Sequence, residues 1–245
     1  MRAVIMAGGR GSRLAPYTTV LPKPLMPLSD RPVIDILLRQ FEAAGVEHVD
    51  LIVGHLGGLI EAWVRHAGSY RVPISFVYEG EPLGTAGGLK LLDGLDGTFI
   101  ATNGDILTSL DFRGLAASHR RDGTVATMAV KKRTVAVEYG VVDVGADGLV
   151  RALDEKPTLS YTVSMGIYAF DASITDLVDD GEHIDFPDLL MRAIAAGRRV
   201  GSYPFDGYWR DIGNRDDYEA AITDFAEDPQ RFLGAARHAG VAYPG

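Results

Sequence analysis

The sequence has no cysteine, so disulfides, thiolate metal centres and cysteine nucleophiles are excluded. It has no long apolar run, and no membrane partner or membrane span is expected. It also lacks an excess of positive charge: 24 Lys and Arg face 33 Asp and Glu, for a net charge of −9. Nucleic-acid binding normally needs a basic face, so no nucleic-acid partner is expected either. A phosphorylated ligand would need a local cationic pocket in an acidic surround, a setting that also favours divalent cations. There is no Gly-x-Ser-x-Gly elbow, which argues against a serine hydrolase. The histidines show no ligand spacing; His55, His66 and His119 read as surface or internally satisfied residues. No internal repeat appears, and without a hexapeptide repeat no C-terminal β-helix is expected. The apolar run at the N-terminus is too short for a signal-peptide core, so the expected compartment is the cytoplasm.

What remains is enough for a substantial core. A chain of 245 residues with 47% hydrophobic content reads as one domain, residues 1–245. Short apolar runs at 3–7, 49–53, 74–78 and 98–102 have the character of buried strands. Helical patterns lie between them. One opens after Pro32, puts Val33, Leu37, Leu38 and Phe41 on one face and stops at Gly45. Others cover 59–66 and 86–92. This alternation predicts an α/β fold, a Rossmann-like and mostly parallel sheet with helices on both faces. Ligands in such folds bind beyond the carboxyl ends of the strands. The second half is less regular. Helices are expected at 113–121, 186–196 and 216–225. Strands are expected at 124–131, 141–143, 149–154 and 162–170, separated by glycine-rich turns, as a smaller β-rich insertion. The tail after Asp228 is weakly patterned.

The first strand runs into Ala7-Gly8-Gly9-Arg10-Gly11-Ser12-Arg13, and Pro22-Lys23-Pro24 follows. Glycines after a buried strand let backbone N–H groups approach an anion closely. Arg13 and Lys23 add fixed positive charge, and the prolines hold the lysine segment extended. A Walker A loop would need Gly-Lys-Ser/Thr, which is absent. A dinucleotide fingerprint would need its third glycine where Leu14 stands, with Pro16 just beyond. The pattern describes a cradle for a nucleoside triphosphate.

Four further segments are candidates, each with a plain structural alternative. Asn103-Gly104-Asp105 follows a strand; Asp105 there can hold a hard cation, or be a solvated turn residue. Trp209-Arg210-Asp211 supplies a second carboxylate, or a turn aspartate after a core aromatic. The run from Glu79 through Gly84, Thr85 and Ala86 would let a nucleobase approach the backbone, or be a helix start capped by Thr85. In Glu138-Tyr139-Gly140 and Glu155-Lys156-Pro157, Glu155 suits hydroxyl donors and Lys156 a phosphate, or the segments are a surface turn and a solvated pair. Lys131-Lys132-Arg133 reads as a solvated strand end, and Trp63 and Trp209 as core or pocket wall.

The stretch from Gly8 to Pro27, with Arg13, Pro16 and Pro22-Lys23-Pro24, resembles the signature of the sugar-1-phosphate nucleotidyltransferases. The likeness continues to about Ile222. It implies a Mg²⁺-dependent enzyme that joins a nucleoside triphosphate to a sugar 1-phosphate and releases pyrophosphate. It implies Arg13, Lys23 and Asp105 as catalytic groups, and Asp105 and Asp211 as Mg²⁺ ligands. Ala7, Gly8, Gly9, Gly11, Ser12, Glu79, Gly84, Thr85 and Asn103 would bind the nucleotide. Gly140, Glu155, Lys156 and Ser164 would bind the sugar phosphate. The Pro82-Leu83-Gly84-Thr85-Ala86-Gly87 run looks most like members that use GTP with mannose or heptose 1-phosphate. Uridylyl or thymidylyl transfer to glucose 1-phosphate, and a catalytically silent nucleotide-sugar sensor, are the alternatives. Ser164-Met165 stands where many members have Asn-Ala, which bears on the sugar. Relatives of this kind form dimers or tetramers, and no apolar seam in this sequence selects between monomer and homo-oligomer.

Overall fold

A computed structural model of the chain describes residues 1–67 and 69–233; the last part of the expected domain, 234–245, lies outside the described residues. The strands are β1 (Arg2–Ala7), β2 (Pro27–Leu28), β3 (Arg31–Pro32), β4 (His48–Val53), β5 (Ile74–Tyr78), β6 (Thr98–Asn103), β7 (Ile106–Thr108), β8 (Ala126–Ala136), β9 (Val141–Val144), β10 (Val150–Asp154), β11 (Thr158–Asp171), β12 (Val200–Pro204) and β13 (Trp209–Asp211). The helices are α1 (Val33–Ala43), α2 (Gly57–Ala67), α3 (Gly84–Gly87), α4 (Phe112–Asp122), α5 (Phe186–Ala195), α6 (Arg215–Glu227) and α7 (Gln230–Leu233).

β1 shows why the sheet is central. Ala3, Ile5 and Ala7 point into one apolar cluster, while Val4 and Met6 point into the other. A strand buried on both faces needs a continuous apolar run, which residues 3–7 supply. The sheet order is β12-β8-β11-β6-β1-β4-β5. The expected parallel sheet is present: β5, β4, β1 and β6 pair in parallel, β12 pairs in parallel with β8, and β11 alone runs against its neighbours. One face is covered by α1, α2 and α4 through Ile34, Leu37, Phe41, Ile60 and Leu115. The other is covered by the 84–92 segment and α5 through Ala86, Leu89, Phe186 and Leu190.

Local chemistry sets the helix ends. α1 follows Pro32 in an extended conformation and stops before Gly45 at φ +70°. Asp111 caps α4 by accepting the Arg113 N–H, and Gly123 ends it in the left-handed region. Asn214 caps α6 by accepting the Asp217 N–H.

Three expectations need correction. The helix expected at 86–92 is α3 followed by a tighter 3₁₀ turn at Gly88–Leu91; glycines at 84, 87 and 88 favour the short form. β8 does not end at 131. It continues to Ala136 because β11 pairs with it from Thr158 onward, forming a long ribbon that carries the β9–β10 hairpin. The Lys131–Arg133 stretch is correspondingly not a strand end; Lys132 and Arg133 are exposed as expected, while Lys131 is half-buried. Lys131 Nζ donates to the carbonyls of Asp206 and Gly207, and the Arg133 guanidinium lies 5.4 Å from the Trp209 ring centroid. Both hold the turn that leads to Asp211. Among the described residues no helix is long and apolar enough to cross a membrane.

Candidate active site

The carboxyl ends of β1 and β6 lie side by side, with Met6 opposite Asn103. The chain leaves β1 as the Gly8–Ser12 loop and leaves β6 as Gly104-Asp105. Gly104 N–H donates to the Met6 carbonyl at 2.9 Å, and a Cβ on Gly104 would sit 3.1 Å from that oxygen. Glycine is what lets the two strand ends approach so closely. Gly11 adopts φ +61°, and Thr18 Oγ1 donates to its carbonyl at 2.8 Å, which pins the loop.

A cavity of about 420 Å³ opens over these strand ends. Every residue expected to bind the nucleotide lines it: Ala7, Gly8, Gly9, Gly11, Ser12, Glu79, Gly84, Thr85 and Asn103. Arg13, Lys23, Asp105 and Asp211 line it as well. Asp105 and Asp211 meet because β13 pairs with β7, placing Asp211 opposite Ile106, and Ile212 N–H donates to the Asp105 carbonyl at 3.0 Å. Lys23 Nζ donates to Asp105 Oδ2 and lies 3.7 Å from Asp211 Oδ1. Burial pushes the Asp211 carboxyl above its ordinary value, and the Asp105 charge adds to this; Lys23 and Arg13 pull the other way.

The arrangement is short of hydrogen-bond donors. Glu79 Oε1, Asn103 Oδ1, Asp105 Oδ1 and Asp211 Oδ1 are all buried without a hydrogen-bond partner. Four orphaned acceptors around one cavity mark a site waiting for donors or cations, because leaving such groups unmade is costly. Glu79 sits at the end of β5, where its N–H donates to the Val53 carbonyl. Burial raises its carboxyl above the usual value; a hydrogen bond from the Leu83 backbone and the nearby His183 oppose this. A Cβ on Gly8 would collide with Glu79 Oε2, and one on Gly88 would lie 3.0 Å from Oε1.

A second cavity of about 360 Å³ adjoins the first, sharing Thr85, Asn103 and Asp211 with it. Ser164 lines it, as do Met165, Gly166 and Trp209. The wall is shaped by a bulge: the β11–β8 register shifts between Ser164 and Tyr168, and Gly166 takes φ +69°. Ser164 Oγ accepts from Gly166 N–H at 3.2 Å and pairs with Tyr168 Oη at 3.1 Å. Trp209 Nε1 donates to the Met165 carbonyl at 2.8 Å, tying β13 to the bulge.

Three expected sugar-side residues are not brought to either cavity. Gly140 and Glu155 meet each other, since a Cβ on Gly140 would lie 2.9 Å from Glu155 Oε2. They and Lys156 sit at the hairpin end of the β8–β11 ribbon. Six residue steps separate the Ser164–Val130 pair from the Thr158–Ala136 pair, a span of about 20 Å along the strands.

Residues 2–228 match the nucleotidyl transferase family. The chain belongs to that family. It is 32% identical over 242 residues to a UTP–glucose-1-phosphate uridylyltransferase from Synechocystis, covering 91% of this chain and 62% of the relative. It is 33% identical over 227 residues to a mannose-1-phosphate guanyltransferase from Schizosaccharomyces pombe, covering 89% and 62%. The chain thus spans less than two thirds of the length of these curated relatives. Among solved structures, HddC from Yersinia pseudotuberculosis, also solved with GMP-PN, superposes with a TM-score of 0.70 at 25% identity, over 91% of this chain and 99% of that one. A putative glucose-1-phosphate thymidylyltransferase from Bacillus anthracis shares the fold at TM-score 0.71 and 22% identity, over 91% and 94%.

Sequence reasoning missed His183, which lines the first cavity. His183 arrives because Ile184 O accepts from Ala86 N–H at 2.9 Å and Gly87 N–H at 3.1 Å. That pairing joins segments about a hundred residues apart in sequence, and nothing local signals it. Thr85 does not cap its own helix. Its Oγ1 accepts from Phe186 N–H at 2.9 Å, capping α5 instead, and donates to Asp185 Oδ1 at 3.1 Å.

Proposed function

We propose that this chain transfers a guanylyl group from GTP to a mannose-type or heptose-type sugar 1-phosphate, releasing pyrophosphate. The observation that carries the choice of base is the Glu79 carboxylate, half-buried at the cavity wall with its Oε1 atom lacking a hydrogen-bond partner. Guanine presents two adjacent donors, N1–H and the N2 amino group, which match a carboxylate. Uracil and thymine present one N–H flanked by carbonyls, which a carboxylate repels. The guanyltransferase relatives and the GMP-PN complex of HddC support the same base. The second reading, uridylyl transfer to glucose 1-phosphate, is favoured by the uridylyltransferase relative.

In this reading a phosphate oxygen of the sugar 1-phosphate attacks the α-phosphorus of GTP in line. The bond from the α-phosphorus to its bridging oxygen breaks, and pyrophosphate leaves with the electron pair. No protein nucleophile is needed; the protein supplies position and charge. The Gly8–Ser12 backbone and Arg13 hold the β- and γ-phosphates. Lys23, now paired with Asp105, turns to the α-phosphate. Ser164 and the bulge receive the sugar. Lys156, with Gly140 and Glu155, is assigned to the sugar phosphate by family resemblance alone.

The residues present fit Mg²⁺. Asp105 Oδ1 and Asp211 Oδ1 are hard oxygens without a hydrogen-bond partner at one cavity, with Lys23 Nζ 3.7 Å from the second. No group of three or more His, Cys, Asp or Glu gathers among the described residues, so phosphate oxygens and water would complete the shell. Held by Asp105 and Asp211, Mg²⁺ would offset negative charge on the reacting phosphates. The same reading keeps the chain in the cytoplasm, where nucleoside triphosphates are available.

Pyrophosphate release measured for each common NTP against a panel of sugar 1-phosphates, with and without Mg²⁺, tests the proposal. GTP with a mannose-type or heptose-type phosphate should give the strongest signal. A strong signal with UTP and glucose 1-phosphate would replace it with the second reading.

A further inference from the structure

A cavity of about 530 Å³ lies at the other end of the sheet. Its walls are Thr98 at the start of β6, the residues leading into β8 and β12, and Asp171 at the end of β11. β6 therefore reaches the nucleotide cavity at Asn103 and this one at Thr98, about 17 Å apart along the strand.

Three arginines line it: Arg120, Arg198 and Arg199. Several arginines elsewhere in the chain are spent on carboxylates. Arg2, Arg31, Arg39, Arg192 and Arg210 each hold an Asp or Glu. Arg198 Nη1 donates to the Ser173 carbonyl at 2.9 Å and to Ser173 Oγ at 3.3 Å, and to no acid. The Arg120 and Arg199 guanidinium groups make no hydrogen bond or ion pair among the described residues. They act only at a distance, Arg120 on His119 and Arg199 on Asp122. Asp96 lines an adjoining cavity together with Arg120, yet no ion pair joins them.

The one carboxylate lining the cavity, Asp171, is engaged by Ser173, whose N–H donates to Oδ1 at 3.0 Å. His119 is buried, with Nδ1 between Thr127 Oγ1 at 3.0 Å and Thr124 Oγ1 at 3.2 Å. Burial lowers its pKa, so it brings no charge near neutrality. Three guanidinium groups against one carboxylate leave a local charge of +2 in a chain of −9. A phosphate monoester carries about −1.5 to −2 at neutral pH. Guanidinium groups match its oxygens in geometry as well as charge.

We propose that this cavity is a second ligand site, for a small phosphate-bearing molecule bound by Arg120, Arg198 and Arg199. The site is separate from the catalytic cavity and does not depend on the proposed reaction. Equilibrium dialysis with labelled inorganic phosphate tests it, at an ionic strength fixed with sodium chloride. Wild type, the double variant Arg120→Gln/Arg199→Gln, and Arg13→Gln are compared, with circular dichroism confirming that each is folded. Both substituted arginines of the double variant are exposed, so the fold should persist. The expected result is saturable binding in wild type that persists in Arg13→Gln and weakens at least tenfold in the double variant. Three results would overturn the proposal: no saturable binding to wild type, equal binding to the double variant, or complete loss in Arg13→Gln.

Discussion

Two of the acidic sites inside this protein are finished differently. Asp35 is fully buried in α1, and both its oxygens are satisfied. Oδ2 accepts from Arg31 Nη1 and Arg39 Nε, each at 2.9 Å, and Oδ1 accepts from Tyr70 Oη at 2.6 Å. At the strand ends, Asp105, Asp211, Asn103 and Glu79 each keep a buried oxygen with no hydrogen-bond partner. The difference separates structure from function. A closed network fixes the fold. An open one leaves bonds to be completed by something else, and four of the five open buried side-chain oxygens among the described residues belong to residues lining one cavity, Gln40 Oε1 being the fifth.

Substitutions can break this contrast. The largest effect should come from Asp105→Asn. Turnover should fall by about a thousandfold, while circular dichroism and the unfolding midpoint stay close to wild type. Near-normal turnover would remove Asp105 from the chemistry. Asp35→Ala should do the reverse. It leaves the buried Arg31 with Asp30 alone and takes the carboxylate from Arg39 and Tyr70, at a cost of about 3–5 kcal/mol read from urea unfolding, with substrate KM values unchanged in the folded fraction. A smaller effect is expected at the hairpin. Lys156→Ala should raise the sugar-phosphate KM about tenfold with the nucleotide KM unchanged, the size of one lost charged hydrogen bond. A change confined to the nucleotide KM would place Lys156 elsewhere.

The smallest effect is a pH dependence. Glu182 lies beside His183 on the segment that closes over α3, and its hydrogen bonds to Arg192 hold its carboxyl down at about 2. Its unfolded value is near 4.5. A depressed carboxylate contributes stability above about pH 4.5 that is lost as pH falls toward about 2. Glu182→Gln should therefore lower Tm modestly at pH 7, and the gap to wild type should close on acidification. A gap independent of pH would show that packing, not charge, is what the substitution removes.

Much of this was legible in the residues, for physical reasons. The cradle is contiguous: Ala7 to Arg13 and Lys23 lie within one short stretch, so their chemistry reads directly. The central strands were legible because burial on both faces demands unbroken apolar runs. β7, β12 and β13 were not, being three to five residues long and set by pairing partners far away in the chain. Lys131 looked solvated because its acceptors, the carbonyls of Asp206 and Gly207, leave no mark on the residues around it. The bulge at Ser164–Tyr168 is likewise a matter of register, which no single strand reveals. The sugar side was the least legible. The sequence groups Gly140, Glu155 and Lys156 with Ser164, and the fold keeps them a ribbon's length apart.

The most direct test of the central claim is the affinity of GTP and UTP for wild type and Glu79→Gln, measured by calorimetry. If the unpartnered Glu79 oxygen selects the base, wild type should prefer GTP and Glu79→Gln should lose at least tenfold of that preference. An unchanged preference in the variant, or a wild type that favours UTP, would contradict the account.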